Sequence, residues 1–118
     1  MRIKLKPLDK LFSDYIRARA GWKCERCGNT PSRQGLHCHH FHRRRKMSTR
    51  FDEDNALSLC FGCHQFFGEN KEEEKAFMLQ KLGQRAYDML EVRANTPQKV
   101  DEQAIELYLR IKIKEVEQ

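Results

Sequence analysis

A mostly helical α+β fold, in which a small two-strand core lies between flanking helices, is predicted by three features of the sequence. Apolar residues recur at helical spacing towards both ends of the 118-residue chain, whereas the stretch from Trp22 to His42 shows no such period. Two C-x2-C pairs, Cys24/Cys27 and Cys60/Cys63, bracket the middle of the chain. At this length a single domain is expected over 1–118. It divides into an N-terminal helix in 1–21, a stapled core in 22–70 and a helical C-terminal extension in 71–118.

Leu8, Leu11, Phe12, Tyr15 and Ile16 share one helical face, so the first helix is expected over about 7–19. Ala20-Gly21 stops it, and Arg17 and Arg19 fall in its last turn, where cations suit the helix dipole. Gly28, Pro31 and Gly35 then mark turns, leaving a cysteine-bearing knuckle, a loop and a short strand at Leu36-His37-Cys38-His39-His40. A polar, basic loop follows from His42 to Asp54. Ala56 to Leu59 reads as the second strand and Phe61 to Phe67 as a short helix. Beyond Lys71 the chain is helical in character. Phe77, Leu79 and Leu82 precede a break at Gly83, and Tyr87 and Leu90 mark a helix ending near Asn95. Thr96-Pro97 reads as the start of the last helix, with Thr as cap and Pro at the first helical position. Val100, Ala104, Leu107, Tyr108 and Ile111 would run along its buried face. Glu72-Glu73-Glu74 falls in a first turn, where acidic residues suit the dipole and need no functional reading.

Only 39% of the residues are hydrophobic and the mean hydropathy is −0.84, so the core is small and needs a metal, a disulfide or a partner to hold it. The cysteines supply that need. Within each C-x2-C pair the two sulfurs can turn towards one ion, and two such knuckles complete a tetrahedral four-cysteine zinc site from Cys24, Cys27, Cys60 and Cys63. Binding energies of such sites run to ~10–16 kcal/mol, enough to organise a core of this size. The 32 residues between Cys27 and Cys60 exceed the usual zinc-ribbon spacing, so a structural unit is inserted between the knuckles. Gly28 and Gly62 would allow the tight backbone each knuckle needs. Two disulfides are the alternative. Cys38 is left over, either as a ligand or as a small buried strand residue.

No apolar run approaches the ~18 residues needed to span a bilayer, and Met1-Arg2-Ile3-Lys4 lacks the apolar stretch of a signal peptide. The expectation is a protein of the bacterial or phage-infected host cytoplasm with no membrane partner, where paired cysteines mean metal rather than disulfide.

Charge is unevenly placed. Residues 1–50 carry 14 Lys/Arg against 3 Asp/Glu, and residues 51–118 carry 9 against 14. A basic half on a small domain points to a polyanion, most often nucleic acid; the plain alternative is a solvated surface that serves solubility. Arg43-Arg44-Arg45-Lys46, with Arg50 four residues on, forms a cluster suited to gripping phosphates on both sides of one bond. Phosphate contacts carry little sequence information, so weak sequence specificity and steep salt dependence are expected.

Four histidines (His37, His39, His40 and His42) crowd six positions, and His64 directly follows Cys63. The spacing is His40, fourteen residues, Asn55, eight residues, His64. With Leu36-His37-Cys38-His39-His40 and Asp54-Asn55-Ala56-Leu57-Ser58-Leu59-Cys60-Phe61-Gly62-Cys63-His64, residues 22–70 resemble the HNH (ββα-metal) endonuclease family. Many members of that family embed the motif between two C-x2-C knuckles. The flanks, Phe12-Ser13-Asp14-Tyr15-Ile16-Arg17 and Leu82 to Lys114, resemble the phage recombination nucleases of the NinG/Rap type, which cut branched DNA. Those proteins often carry Gly before the central His and Asn in place of the final His. This chain has His39 and His64 there, closer to the general HNH pattern.

The resemblance implies a ββα-metal core and a metal-dependent DNA endonuclease that hydrolyses phosphodiester bonds in duplex or branched DNA. His39 and His64 would hold a catalytic divalent ion (Mg2+, Mn2+, Ni2+ or Zn2+), with positions left open for phosphate and water. His40 would be the general base, since an imidazole of ordinary pKa ~6.5 suits proton abstraction near neutrality. Asn55 would hold the His40 ring in orientation, and His37, on the same strand face as His39, is a candidate third ligand. A role in phage recombination or packaging rests on the resemblance alone. A zinc-stapled nucleic-acid-binding module without cleavage is the alternative, which loss of His40 or His64 would favour; both are present. A pure interaction module is the third reading, with Thr96 to Gln118 binding a protein partner; the apolar face of that tail is more simply read as packing onto the zinc core or a second copy.

Overall fold

In the computed structural model residues 4–117 are described; Met1, Arg2 and Ile3, on which the reading of the leader rests, and Gln118 lie outside the described residues. Helix α1 spans Pro7–Arg19, begins with Pro at its first position and ends in a glycine-type cap. Gly21, at φ +68°, donates to the carbonyl of Ala18, and the Trp22 N–H donates to that of Arg17, both at 2.9 Å. Strand β1 (Leu36–His40) pairs antiparallel with β2 (Ala56–Cys60), with His39 opposite Leu57 and His37 opposite Leu59. Helix α3 (Phe61–Glu69) follows β2 directly. Helices α4 (Lys71–Leu82), α5 (Gln84–Ala94) and α6 (Glu102–Val116) complete a mostly helical α+β molecule.

Two apolar clusters flank the strand pair. Leu36, Leu57, Leu59, Phe67, Met78 and Leu90 pack with Cys24 and Cys63 on the side of α3, α4 and α5. Leu8, Phe12, Tyr15, Ile16, Phe51, Ala56 and Leu109 pack on the side of α1 and α6. Alternation along a strand explains the division, since Leu57 and Leu59 point one way while Ala56 points the other. The helical flanks also hold the loop that leads into β2. Arg19 of α1 donates to the carbonyls of Glu53 and Ala56, Arg93 of α5 pairs with Asp52 and Asp54, and the Tyr108 hydroxyl of α6 bonds Glu53.

Four expectations need correction. Thr96 does not open the last helix: its hydroxyl donates to the carbonyl of Val92 at 2.6 Å and so closes α5. The last helix begins at Glu102, where the Asp101 carboxylate accepts from the N–H of Ala104 at 3.1 Å, an Asp cap displacing the expected Thr-Pro start. Its buried face is Ile105, Leu109 and Ile113 at four-residue spacing, whereas Leu107, Tyr108 and Ile111 are exposed. The basic loop from His42 to Asp54 is not wholly irregular, because it contains the short helix α2 (Met47–Arg50). Gly62 lies inside α3 with an ordinary backbone, so the second knuckle is closed by a helix start; only Gly28, at φ +79°, uses glycine's freedom. Among the described residues no helix is long and apolar enough to cross a membrane.

Candidate functional site

The first knuckle folds because Gly28 can turn left-handed, letting its N–H donate to the carbonyl of Cys24 at 2.9 Å. The second is formed by the end of β2 and the first turn of α3. The two meet, and the sulfurs of Cys24, Cys27, Cys60 and Cys63 all lie within 4.8 Å of one another, positioned to bind one metal ion. Zinc–sulfur bonds of ~2.3 Å in a tetrahedron place the sulfurs ~3.8 Å apart, and Cys27 and Cys60 stand at 3.7 Å. The Cys27 N–H donates to the Cys24 sulfur and the Arg26 guanidinium to the Cys63 sulfur, contacts that favour thiolate. The donor set fits structural zinc. Cys38 stands apart, half-buried on the α1 side of β1, and burial pushes its thiol up to about 12.

Beside this cluster opens a cleft of about 820 Å³, whose walls include His39, His40, Arg43, Arg44, Phe61 and His64. His39 and His64 come together there, with their Nδ1 atoms 2.8 Å apart. Two imidazole nitrogens on one divalent ion need ~3.0–3.4 Å between them, so a few tenths of an ångström of ring movement makes room for one. His37 does not complete a three-nitrogen set. Its ring stacks on His64 at 5.1 Å and 4°; nitrogen lone pairs lie in the ring plane, so parallel rings do not converge on one point.

Glu74 was invisible to sequence reasoning. It belongs to the acidic first turn of α4, yet it is buried and its Oε2 binds the Nε2 of His39. This contact fixes Nε2 of His39 as the protonated nitrogen and leaves Nδ1 as the one that presents its lone pair towards His64. Lys71, one turn earlier, stands 3.6 Å from the other carboxylate oxygen. The only sequence signal was three Glu at the start of a helix.

His40, next along β1, leaves the strand on the other side. It packs against Phe12 at 5.7 Å and lines the same cleft. Its Nε2 donates to the carbonyl of Arg50 at 3.0 Å, so Nδ1 is the free base. Burial, reinforced by the Arg44 charge, pushes its pKa down to about 4 and keeps the ring neutral at pH 7. Burial, together with His39 and His37, likewise lowers His64.

Asn55 is fully buried and reaches His40 through the loop rather than directly. Its Oδ1 accepts from the His42 N–H at 2.8 Å, and its Nδ2 donates to the carbonyls of His42 and Thr49 at 2.9 and 3.1 Å. The amide thereby ties the start of the basic loop to Thr49 of α2, the residue before the Arg50 carbonyl on which His40 rests. His42 itself binds Glu91 at 2.7 Å and plays a structural part.

The basic cluster divides. Arg43, Arg45 and Lys46 are exposed, and Arg43, Arg44 and Arg45 line the cleft. The Nε of Arg44 is buried with no hydrogen-bond partner among the described residues. Arg50 is not part of that surface. It is buried, paired with Asp9 at 2.7 and 3.0 Å, and bonded to the carbonyl of Lys4.

A family model described as Bacteriophage Lambda NinG protein matches residues 3–118, nearly the whole chain. No curated protein and no solved structure matches it.

Proposed function

The chain belongs to the family of the Bacteriophage Lambda NinG protein, and on that premise we propose that it is a metal-dependent DNA endonuclease of the HNH type acting in phage recombination. The observation that carries the reading is the convergence of the His39 and His64 Nδ1 atoms, 2.8 Å apart, in a cleft walled by Arg43, Arg44 and Arg45 with His40 alongside.

His39 and His64 would hold the catalytic ion, with Glu74 fixing the His39 ring. Bound there, a divalent ion would supply the charge that polarises a phosphate and stabilises the leaving oxygen. Arg44 and exposed Arg43, both lining the cleft, bind the DNA phosphates. His40 accepts the proton of a water at Nδ1 while its Nε2–H stays on the Arg50 carbonyl. The water oxygen forms its bond to phosphorus, the bond from phosphorus to the 3′-oxygen breaks, and the 3′-oxygen takes a proton from solvent. At pH 7 His40 is neutral and free to accept a proton, but burial holds it well below the ordinary imidazole value expected from the sequence, so it is a weaker base than the sequence predicts. A zinc ion on the four cysteines would staple α3, and so His64, to the strand pair in which β1 carries both His39 and His40.

Supercoiled plasmid incubated with Mg2+, Mn2+ or Ni2+ should become nicked and then linear, and EDTA should prevent it. Binding without conversion under any of these ions would instead establish the non-catalytic zinc-stapled module.

A further inference from the structure

Exposed apolar side chains are out of place in a cleft built for phosphates, yet two of the chain's most exposed ones line this cleft: Leu5 at 62% and Phe61 at 61% exposure. We propose that Phe61 is a specificity-determining residue that stacks on an unpaired base next to the scissile phosphate. This inference rests on the nuclease reading and names what the cleft recognises beside the backbone.

Placement supports it. Phe61, His64, Gln65 and Gly68 all line the cleft and follow one another at i, i+3, i+4 and i+7 on α3, so they form its cleft-facing stripe. Three residues of helix rise ~4.5 Å, which sets Phe61 about one nucleotide along from the proposed metal ligand His64. The rings continue as a ladder, His37 lying 5.9 Å from Phe61 and stacked on His64. Cys60 and Cys63 bracket Phe61, so the knuckle holds its backbone on a rigid element.

The surrounding charge selects the occupant. Arg43, Arg44, Arg45 and Lys71 line the same cleft and suit a polyphosphate strand rather than an apolar peptide or lipid. A fully stacked duplex presents phosphates and groove edges, which leave an exposed phenyl ring without a partner. An unstacked base offers a π-face, and aromatic stacking of this kind is largely indifferent to sequence. Leu5 on the same cleft suits the wedge role that apolar residues play at opened base steps.

The test is binding by zinc-loaded protein in buffer with no added divalent ion, so that the cysteine site stays filled, to a labelled single strand and to the same strand in full duplex. Phe61→Ala should weaken single-strand binding roughly tenfold or more and leave duplex binding unchanged. Equal loss on both, or no loss, overturns the proposal. Phe61→Trp gives a second readout: its indole fluorescence should be quenched by the single strand beyond the wild-type background, which comes from the sole tryptophan, Trp22. Absence of added quenching also overturns it. A protein that passes both tests and cuts nothing refutes the nuclease reading alone. One that cuts but fails them refutes only the role of Phe61.

Discussion

Replacing Glu74 by Gln tests whether a residue outside the two strands and α3 belongs to the metal site. The Glu74 and His39 side chains are 3% and 6% exposed, so solvent screens their contact little. Gln keeps an acceptor for the His39 Nε2–H but removes the carboxylate charge behind the ring that would hold the ion. Loss of such a supporting carboxylate weakens metal affinity ~10–100-fold, or about 1.4–2.7 kcal/mol. Glu74→Ala also strands the buried imidazole N–H and should cost roughly 1–3 kcal/mol of folding stability, which the Gln variant largely spares. The assay is calorimetric titration of Ni2+ into protein already loaded with zinc, so that the cysteine site is filled beforehand. Equal Ni2+ affinity of wild type and Glu74→Gln would refute the reasoning, because the contact would then be packing and nothing more.

Further outcomes follow from the same geometry. Purified protein should carry one zinc per chain, and Cys63→Ser should lose both the zinc and the helical circular-dichroism signal. The ~10–16 kcal/mol of zinc binding matches or exceeds the ~5–15 kcal/mol by which domains are stable. Asp9→Asn, which breaks the buried pair with Arg50, should cost about 3–5 kcal/mol in urea denaturation at neutral pH. Burial tends to raise the Asp9 pKa, but the Arg50 hydrogen bonds and the Lys6 N–H outweigh it and hold the carboxyl below its ordinary 3.8. Its stabilisation is therefore present in full above that value and is lost as pH falls through the lower folded value, so the gap between variant and wild type should close in acid. Arg43→Ala should weaken DNA binding on every sequence and reduce the salt-dependence slope by about 1, whereas Arg50→Ala should lower stability instead.

Much of the scaffold was legible because its signals are local. Gly21 ends α1, Gly83 separates α4 from α5, turn residues up to Gly35 precede β1, and β2 is a short apolar run. The four-cysteine site was legible because C-x2-C spacing is itself a geometric statement. The start of α6 was missed because two capping signals, Thr96-Pro97 and Asp101, lie five residues apart, and Thr96 turns back to Val92. Its buried face was missed because apolar residues occupy two stripes, and only packing against α1 selects Ile105, Leu109 and Ile113. Arg50 read as part of a basic run, yet its partner Asp9 lies 41 residues away. Glu74 reaches His39 across 35 residues. Partners that distant leave no trace in local periodicity, and Asn55 acts through the loop because its amide spans two backbone segments at once.

The central claim is that His40 is the base of a metal-dependent cut, and single-turnover cleavage of plasmid by wild type and His40→Ala tests it most directly. With both proteins zinc-loaded, equally folded by circular dichroism and saturated with Mn2+ or Mg2+, wild type should convert the DNA and the variant should be slower by ~10²–10⁴-fold. His40→Ala cutting at the wild-type rate, or no cutting by wild type with any divalent ion, would contradict it.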